Sequence, residues 1–140
     1  MATYNKFNAF VADLANKVHN FGSDTIKLML TNTAPVATNA VKTDITEISA
    51  GSGYTAGGAS LTLTSSTQSS GTYKYIASAA SPTWTASGSM ATFRYVVAYN
   101  STAGSGNLIG WWDNGSAVSL TSGQTFTVTL DGTNGVYQLA

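Results

Sequence analysis

Between Met90 and Asn100 the chain alternates with a two-residue period: Phe93, Tyr95, Val97 and Tyr99 fall on one side, Thr92, Arg94, Val96 and Ala98 on the other. That period belongs to a β-strand. Gln124 to Leu130 repeats it, with Phe126, Val128 and Leu130 set against Thr125, Thr127 and Thr129, the pattern of a half-buried strand with a hydroxyl-bearing outer face. Between them Asn107 to Asp113 carries Trp111 and Trp112 side by side. In a strand two neighbouring rings point to opposite faces, so one is expected inside and the other on the outer surface.

Toward the start the period changes. Phe7, Phe10, Val11, Leu14, Val18 and Phe21 recur at helical spacing, and Gly22 supplies a stop, which predicts one amphipathic helix over residues 3–20. Its apolar stripe is expected to pack on the sheet or, alternatively, to grip a neighbouring subunit. His19, beside the stripe near the helix end, is expected to cap the helix or face solvent. Strands are then expected over 25–31, 59–66 and 71–78, with the polar residues 65–70 as a hairpin link. Ser81 to Trp84 reads as a short edge strand with Trp84 as a core plug, because Pro82 lacks a donor for a central ladder. Asn114-Gly115 reads as a tight turn leading to a short strand over 116–120, and residues 136–139 as a closing strand. Eight or nine short strands after one helix predict a mainly β, single-domain antiparallel β-sandwich over residues 1–140, jelly-roll-like.

One stretch fits no regular period. Residues 36–59 form a long excursion in which Asp44 and Glu47 suit a capping box on a short helical turn, followed by the glycine-rich Gly51-Ser52-Gly53-Tyr54-Thr55-Ala56-Gly57-Gly58. The glycine spacing does not match a phosphate-binding loop, and a strand follows instead of a helix.

Composition narrows the classes of function. Six basic and six acidic side chains among 140 residues leave no net charge and no basic footprint, so neither nucleic acid nor an anionic membrane is an expected partner. The absence of cysteine removes disulfides, thiolate metal sites and cysteine nucleophiles. The N-terminal residues lack the basic start and apolar run of a secretion signal, and the mature chain is expected to be the whole chain. His19 is the only histidine and the carboxylates are scattered singly, so no catalytic constellation, metal site or cofactor is expected and the protein reads as a non-enzyme. Asp131 with Asn134 reads as a turn held by its own side chains. Asn100-Ser101-Thr102 and Asn114-Gly115-Ser116 match the glycosylation pattern. A near-zero net charge with surplus aromatic residues predicts a homo-oligomer. The contact is expected at the Gly51 to Gly58 stretch or the Asn100 to Gly106 loop.

Lys6-Phe7-Asn8, the run from Asp13 to Asn20, Leu28-Met29-Leu30-Thr31-Asn32-Thr33-Ala34-Pro35, Asp44-Ile45-Thr46-Glu47-Ile48, Gly53 to Gly58 and Ile109-Gly110-Trp111-Trp112-Asp113 carry a resemblance over nearly the full length. The chain resembles a family of small virion proteins found widely in tailed bacteriophages. The resemblance implies a structural role in the virion and brings no catalytic residues with it. It leads us to expect a capsid decoration, or cement, protein on the outer surface of the major capsid protein shell, with a trimer as the expected oligomer. The alternative is a tail or fibre component that binds a receptor glycan by stacking on Trp112, Tyr99 or Tyr54. The candidate interface residues are Gly51, Gly53, Tyr54, Tyr99, Trp111, Trp112, Phe7 and Phe10.

Overall fold

The computed structural model describes residues 3–78 and 82–139. The described residues form ten strands, β1 (Thr3–Lys6), β2 (Ile26–Thr31), β3 (Ala59–Ser60), β4 (Leu63–Ser69), β5 (Thr72–Ala77), β6 (Thr83–Thr85), β7 (Phe93–Asn100), β8 (Leu108–Val118), β9 (Thr125–Thr127) and β10 (Tyr137–Leu139), with one α-helix, α1 (Ala9–Ala15). The fold is mainly β, with antiparallel sheets and one helix. Five strands form the main sheet in the order β1-β8-β7-β2-β3; β10-β5-β4 and β6-β9 form two smaller sheets. Among the described residues no helix is long and apolar enough to cross a membrane.

The main sheet is apolar on both faces. Leu28, Leu30, Val96 and Ala98 join Tyr75 of β5 and Trp84 of β6 in the larger hydrophobic cluster, the front of the sheet. Met29, Val97, Tyr99, Leu108 and Trp111 form the second cluster behind it, together with Phe7 and Ile45. This explains why β2 and β7 read as nearly continuous apolar runs, as strands covered on two sides do. The long excursion supplies the cover: Ile45 joins the rear cluster, while Ile48 and Tyr54 join the front one.

The helix expected over residues 3–20 is corrected to a strand followed by seven helical residues. Val18 N–H bonds Asp13 C=O at 2.9 Å and Lys17 N–H bonds Leu14 C=O at 3.3 Å, the paired bonds of a Schellman stop. Lys17 takes the left-handed conformation there, φ 61°. Splitting the segment sends Phe7 to the rear cluster and Phe10 to the front one, and each is almost wholly buried. One helical stripe could not reach both faces of a sheet.

Other strand boundaries also move, and the strand expected over 124–130 shortens to β9, Thr125–Thr127. The expected strand over 59–66 is divided between sheets: Ala59–Ser60 pairs with β2, Leu63–Ser69 with β5. The hairpin link expected over 65–70 shrinks to Ser70-Gly71, both at positive φ, the backbone of a tight two-residue turn. Asn114-Gly115 does not reverse the chain. β8 runs on to Val118, and its register against β7 jumps from Asp113 opposite Tyr95 to Val118 opposite Phe93. That irregularity puts Phe93 in the front cluster with Val96 and Ala98, out of phase with Tyr95, Val97 and Tyr99. The expected edge strand begins at Ser81, outside the described residues; its described part is β6, and Trp84 fills the front core at 4% exposure.

Candidate functional site

The eight residues singled out as interface candidates part company in the fold. Phe7 packs tilted against Trp111 with ring centroids 4.5 Å apart, and Phe10 meets Tyr137 edge to face at 5.0 Å. Phe7, Phe10, Tyr54, Tyr99 and Trp111 are all buried, so the expectation that they anchor a partner is corrected: their surface is spent on the protomer's own core. Full burial of a side chain the size of Phe7 contributes about 2 kcal/mol, which a surface role would forfeit.

Tyr54 and Tyr99 are buried because their hydroxyls hold the excursion to the sheet. Tyr54 donates to Glu47 Oε1 at 2.7 Å and accepts from Leu30 N–H at 3.1 Å. Tyr99 donates to Gly57 C=O at 2.7 Å. Burial drives the Tyr54 phenol far above its ordinary pKa, and Glu47 adds to the rise; burial and then Glu47 likewise raise Tyr99. Glu47 therefore does not complete a capping box. It binds Tyr54 and the Gly57 N–H on one oxygen and faces Lys42 Nζ at 3.3 Å with the other, while Asp44 alone caps the turn through Ala40 N–H and Val41 N–H. Gly53 and Gly58 lie against backbone: a Cβ on Gly53 would stand 2.0 Å from Thr85 O, and one on Gly58 1.9 Å from Leu28 O. The glycines thus let this stretch press onto its own protomer. Gly51 is exposed with open space around its Cβ direction.

Each remaining carboxylate is engaged as well. Asp13 accepts from Asn107 at 2.9 Å, and Asp24 from Asn100 at 2.6 Å and from Asn20 N–H at 2.7 Å. Asp113 holds Arg94 through two bonds of 2.7 and 2.9 Å, and Asp131 accepts from Thr133 N–H, Asn134 N–H and the Asn134 amide within its own turn. These bonds lower the pKa of Asp113 and Asp131 below the ordinary carboxylate value. His19 is buried between Phe10 and Phe21, which corrects the expectation of a capping or surface role. Asn100 is 0% exposed and bonded to His19 and Asp24, so the first glycosylation match is closed off in the folded protein.

Trp112 is the aromatic candidate left near the surface. It lies on the front face of β8, tilted against Tyr4 with centroids 5.3 Å apart. The Tyr4 ring occupies the space a side chain at position 110 would need, since a Cβ on Gly110 would come within 2.4 Å of it. A glycine inside a strand is costly, and here it makes room for an aromatic ring against the backbone. Burial, with a contribution from the Tyr137 phenol, pushes the Tyr4 phenol up to about 12.

Tyr4 and Trp112 form one wall of a cavity of about 840 Å³ that opens between the β1 edge of the main sheet and the β9 to β10 segment. Phe10 and Leu14 of α1, Phe126, Val128 and Leu130 line its interior, with Lys6 and Gln138 among the polar groups present. The Tyr137 hydroxyl, on the β10 side, is closed off from solvent and has no partner among the described residues. Nothing in the sequence pattern marked this cavity, because its walls come from residues 4–14, 96–114 and 126–139. The one legible signal was Trp112, the outward member of the tryptophan pair. Compared with protein-family models, curated proteins and solved structures, the chain matches none.

Proposed function

We propose that this protein is a structural component of a tailed-bacteriophage virion, a decoration protein that binds the outer surface of the major capsid protein shell and stabilises it. The observation that carries the structural reading is the engagement of all six carboxylates and the one histidine in hydrogen bonds or burial within the protomer, in turns, between strands or from loop to sheet. Groups committed in this way are poorly placed for acid and base work. The phage assignment is supported by the sequence resemblance. The packing of both small sheets against the front of the main sheet supports reading the architecture as a sandwich of the jelly-roll kind.

In this role each copy would cover roughly 800 Å² of the shell, and many copies would add weak contacts through multivalency. Binding the expanded shell in preference to its precursor would then raise the stability of the mature particle by mass action. A homotrimer suits such a task, since a three-fold body can join several coat subunits. Of the expected contact, the exposed residues Gly51, Gly53, Thr55 and Ala56 and the loop after Asn100 are the parts left to meet a second copy. Imaging of labelled protein on virions should place it on the head, and stripped capsids should rupture at lower temperature than decorated ones. Label on the tail, or equal rupture temperatures, would remove the decoration role. Light scattering should give a trimer mass at tens of micromolar; a monomer there would remove the oligomer.

A second reading, a tail or fibre component that binds glycan, is favoured by one observation: Trp112 and Tyr4 together wall a cavity with polar groups at its margin. Trp112→Ala should abolish glycan-array binding while the protein stays folded. A flat array with the unmodified protein would dismiss this reading.

A further inference from the structure

Three facts converge on the β1 edge. Of five large apolar side chains exposed among the described residues, Tyr4, Val11 and Leu139 all rim the 840 Å³ cavity. Exposed apolar surface gathered in one place marks a surface that is covered in use. β1 is the outermost strand of the main sheet, paired only with β8. Phe7 N–H bonds Ile109 C=O at 3.3 Å, and the antiparallel register carries that alternation back along β1, so the main-chain groups of Tyr4 and Lys6 face away from β8. Among the described residues nothing bonds to them. Tyr4 and Lys6 are also the two β1 residues whose side chains line the cavity.

We propose that the β1 edge and the cavity beside it form one acceptor site for an extended segment of a different protein, which adds to the main sheet as a sixth strand. Main-chain bonds to Tyr4 and Lys6 hold the segment, and its alternate side chains enter the cavity. A compact apolar ligand would fill the cavity and leave the strand edge bare, whereas a strand satisfies both by the geometry of β-augmentation. The side-chain pattern follows from the wall. An added antiparallel strand meets Lys6 first, and Lys6 has no ion-pair partner among the described residues, so an acidic residue belongs opposite it. Two residues later an apolar side chain lies opposite Tyr4.

A second copy of this chain is a poor donor of such a segment. Its outer strand β4 carries Thr, Ser or Gln from Thr64 through Ser69, β3 has two residues, β6 and β9 turn Trp84 and Phe126 toward the core, and the outer strands β1 (TYNK) and β10 (YQL) hold no acidic residue to face Lys6. This acceptor site stands apart from the capsid reading and holds wherever in a virion, or outside one, the partner resides.

The test uses the full chain and a capped nonapeptide in which threonine alternates with valine, one central valine being replaced by glutamate. Saturable binding is expected, with hydrogen exchange at the Tyr4 and Lys6 amides slowed at least tenfold. N-methylation of the peptide at the glutamate and at the valine two residues on keeps the side chains and removes the donors; it should weaken binding at least tenfold. Lys6→Glu, at an exposed position, should reverse the preference so that a lysine peptide binds better than the glutamate one. Absence of binding by the peptide, binding that survives N-methylation, or an edge already protected by self-association in the peptide-free protein would each overturn the proposal.

Discussion

The side-chain amide of Asn100 lies 3.2 Å from His19 Nδ1, and its other bonds decide which atom donates. Asn100 Oδ1 accepts from Thr102 N–H and Ala103 N–H, so its NH₂ group is the one that faces Asp24 and His19. An NH₂ group only donates; His19 Nδ1 must accept, and the proton sits on Nε2, which points toward Asp13 Oδ2 at 3.8 Å. Protonating Nδ1 would set a donor against a donor inside the core.

This arrangement predicts an acid-sensitive fold. Burial lowers the His19 pKa below 6.5, and the nearby Asp13 and Asp24 carboxylates only partly oppose it. A base with a depressed native pKa binds its proton more readily in the unfolded chain, so stability is full above about pH 6.5 and declines as pH falls from there toward the native value. Urea midpoints measured between pH 7.5 and 5 should fall for the unmodified protein and stay flat for His19→Gln. Equal slopes would refute the assignment. The depressed carboxylates Asp44, Asp113 and Asp131 act in a separate window, losing their contribution only below about pH 4 as they are protonated.

Lys17 carries the helix stop in a left-handed conformation that favours glycine. Lys17→Gly relieves that strain and should raise stability by about 1 kcal/mol, offset in part by the greater freedom of glycine in the unfolded chain. Thermal unfolding should show an increase of about 2–4 °C for a chain of this size. A decrease would mean that the Lys17 side chain has a role that outweighs the strain.

Gly58 and Gly71 both have positive φ, at 69° and 85°, but only Gly58 is crowded. Gly71→Ala meets nothing within 4 Å, so it should cost about 1 kcal/mol of backbone strain alone. Gly58→Ala adds a collision with Leu28 O and should cost about 3 kcal/mol or more, because the excursion must lift from β2. Denaturant unfolding of the two variants separates the effects; equal losses would show that the contact yields without cost.

Tyr54→Phe removes a hydroxyl that serves Glu47 and Leu30 N–H together. The loss leaves a buried N–H and a carboxylate oxygen short of a partner, at about 2–3 kcal/mol. Tyr99→Phe strands only one carbonyl, Gly57 C=O, and should cost about 1 kcal/mol. A larger loss for Tyr99→Phe than for Tyr54→Phe, measured in urea, would contradict the bonding pattern.

Local periodicity was enough to read β2, β5, β7 and, from the stretch expected over 124–130, the three residues of β9, since a strand with a buried face displays its two-residue period in the chain itself. Asp131 and Asn134 were also legible, because an Asx turn is made within a few residues. So was the division of Trp111 and Trp112 between opposite faces.

What tertiary structure decided was where each element faces and which groups meet. Phe7 and Phe10 fit one helical stripe as text, but the sheet has two faces to cover and the chain divides between them. Tyr54, Tyr99 and the glycines looked like surface chemistry; their partners Glu47, Leu30, Gly57 and Thr85 come from separate parts of the chain and hold them inside. The cavity joins the first strand to the last, more than a hundred residues apart. Local pattern reports the conformational preference of neighbouring residues, while burial and hydrogen-bond satisfaction depend on packing between distant ones, and in a sheet protein most stabilising contacts are of the distant kind.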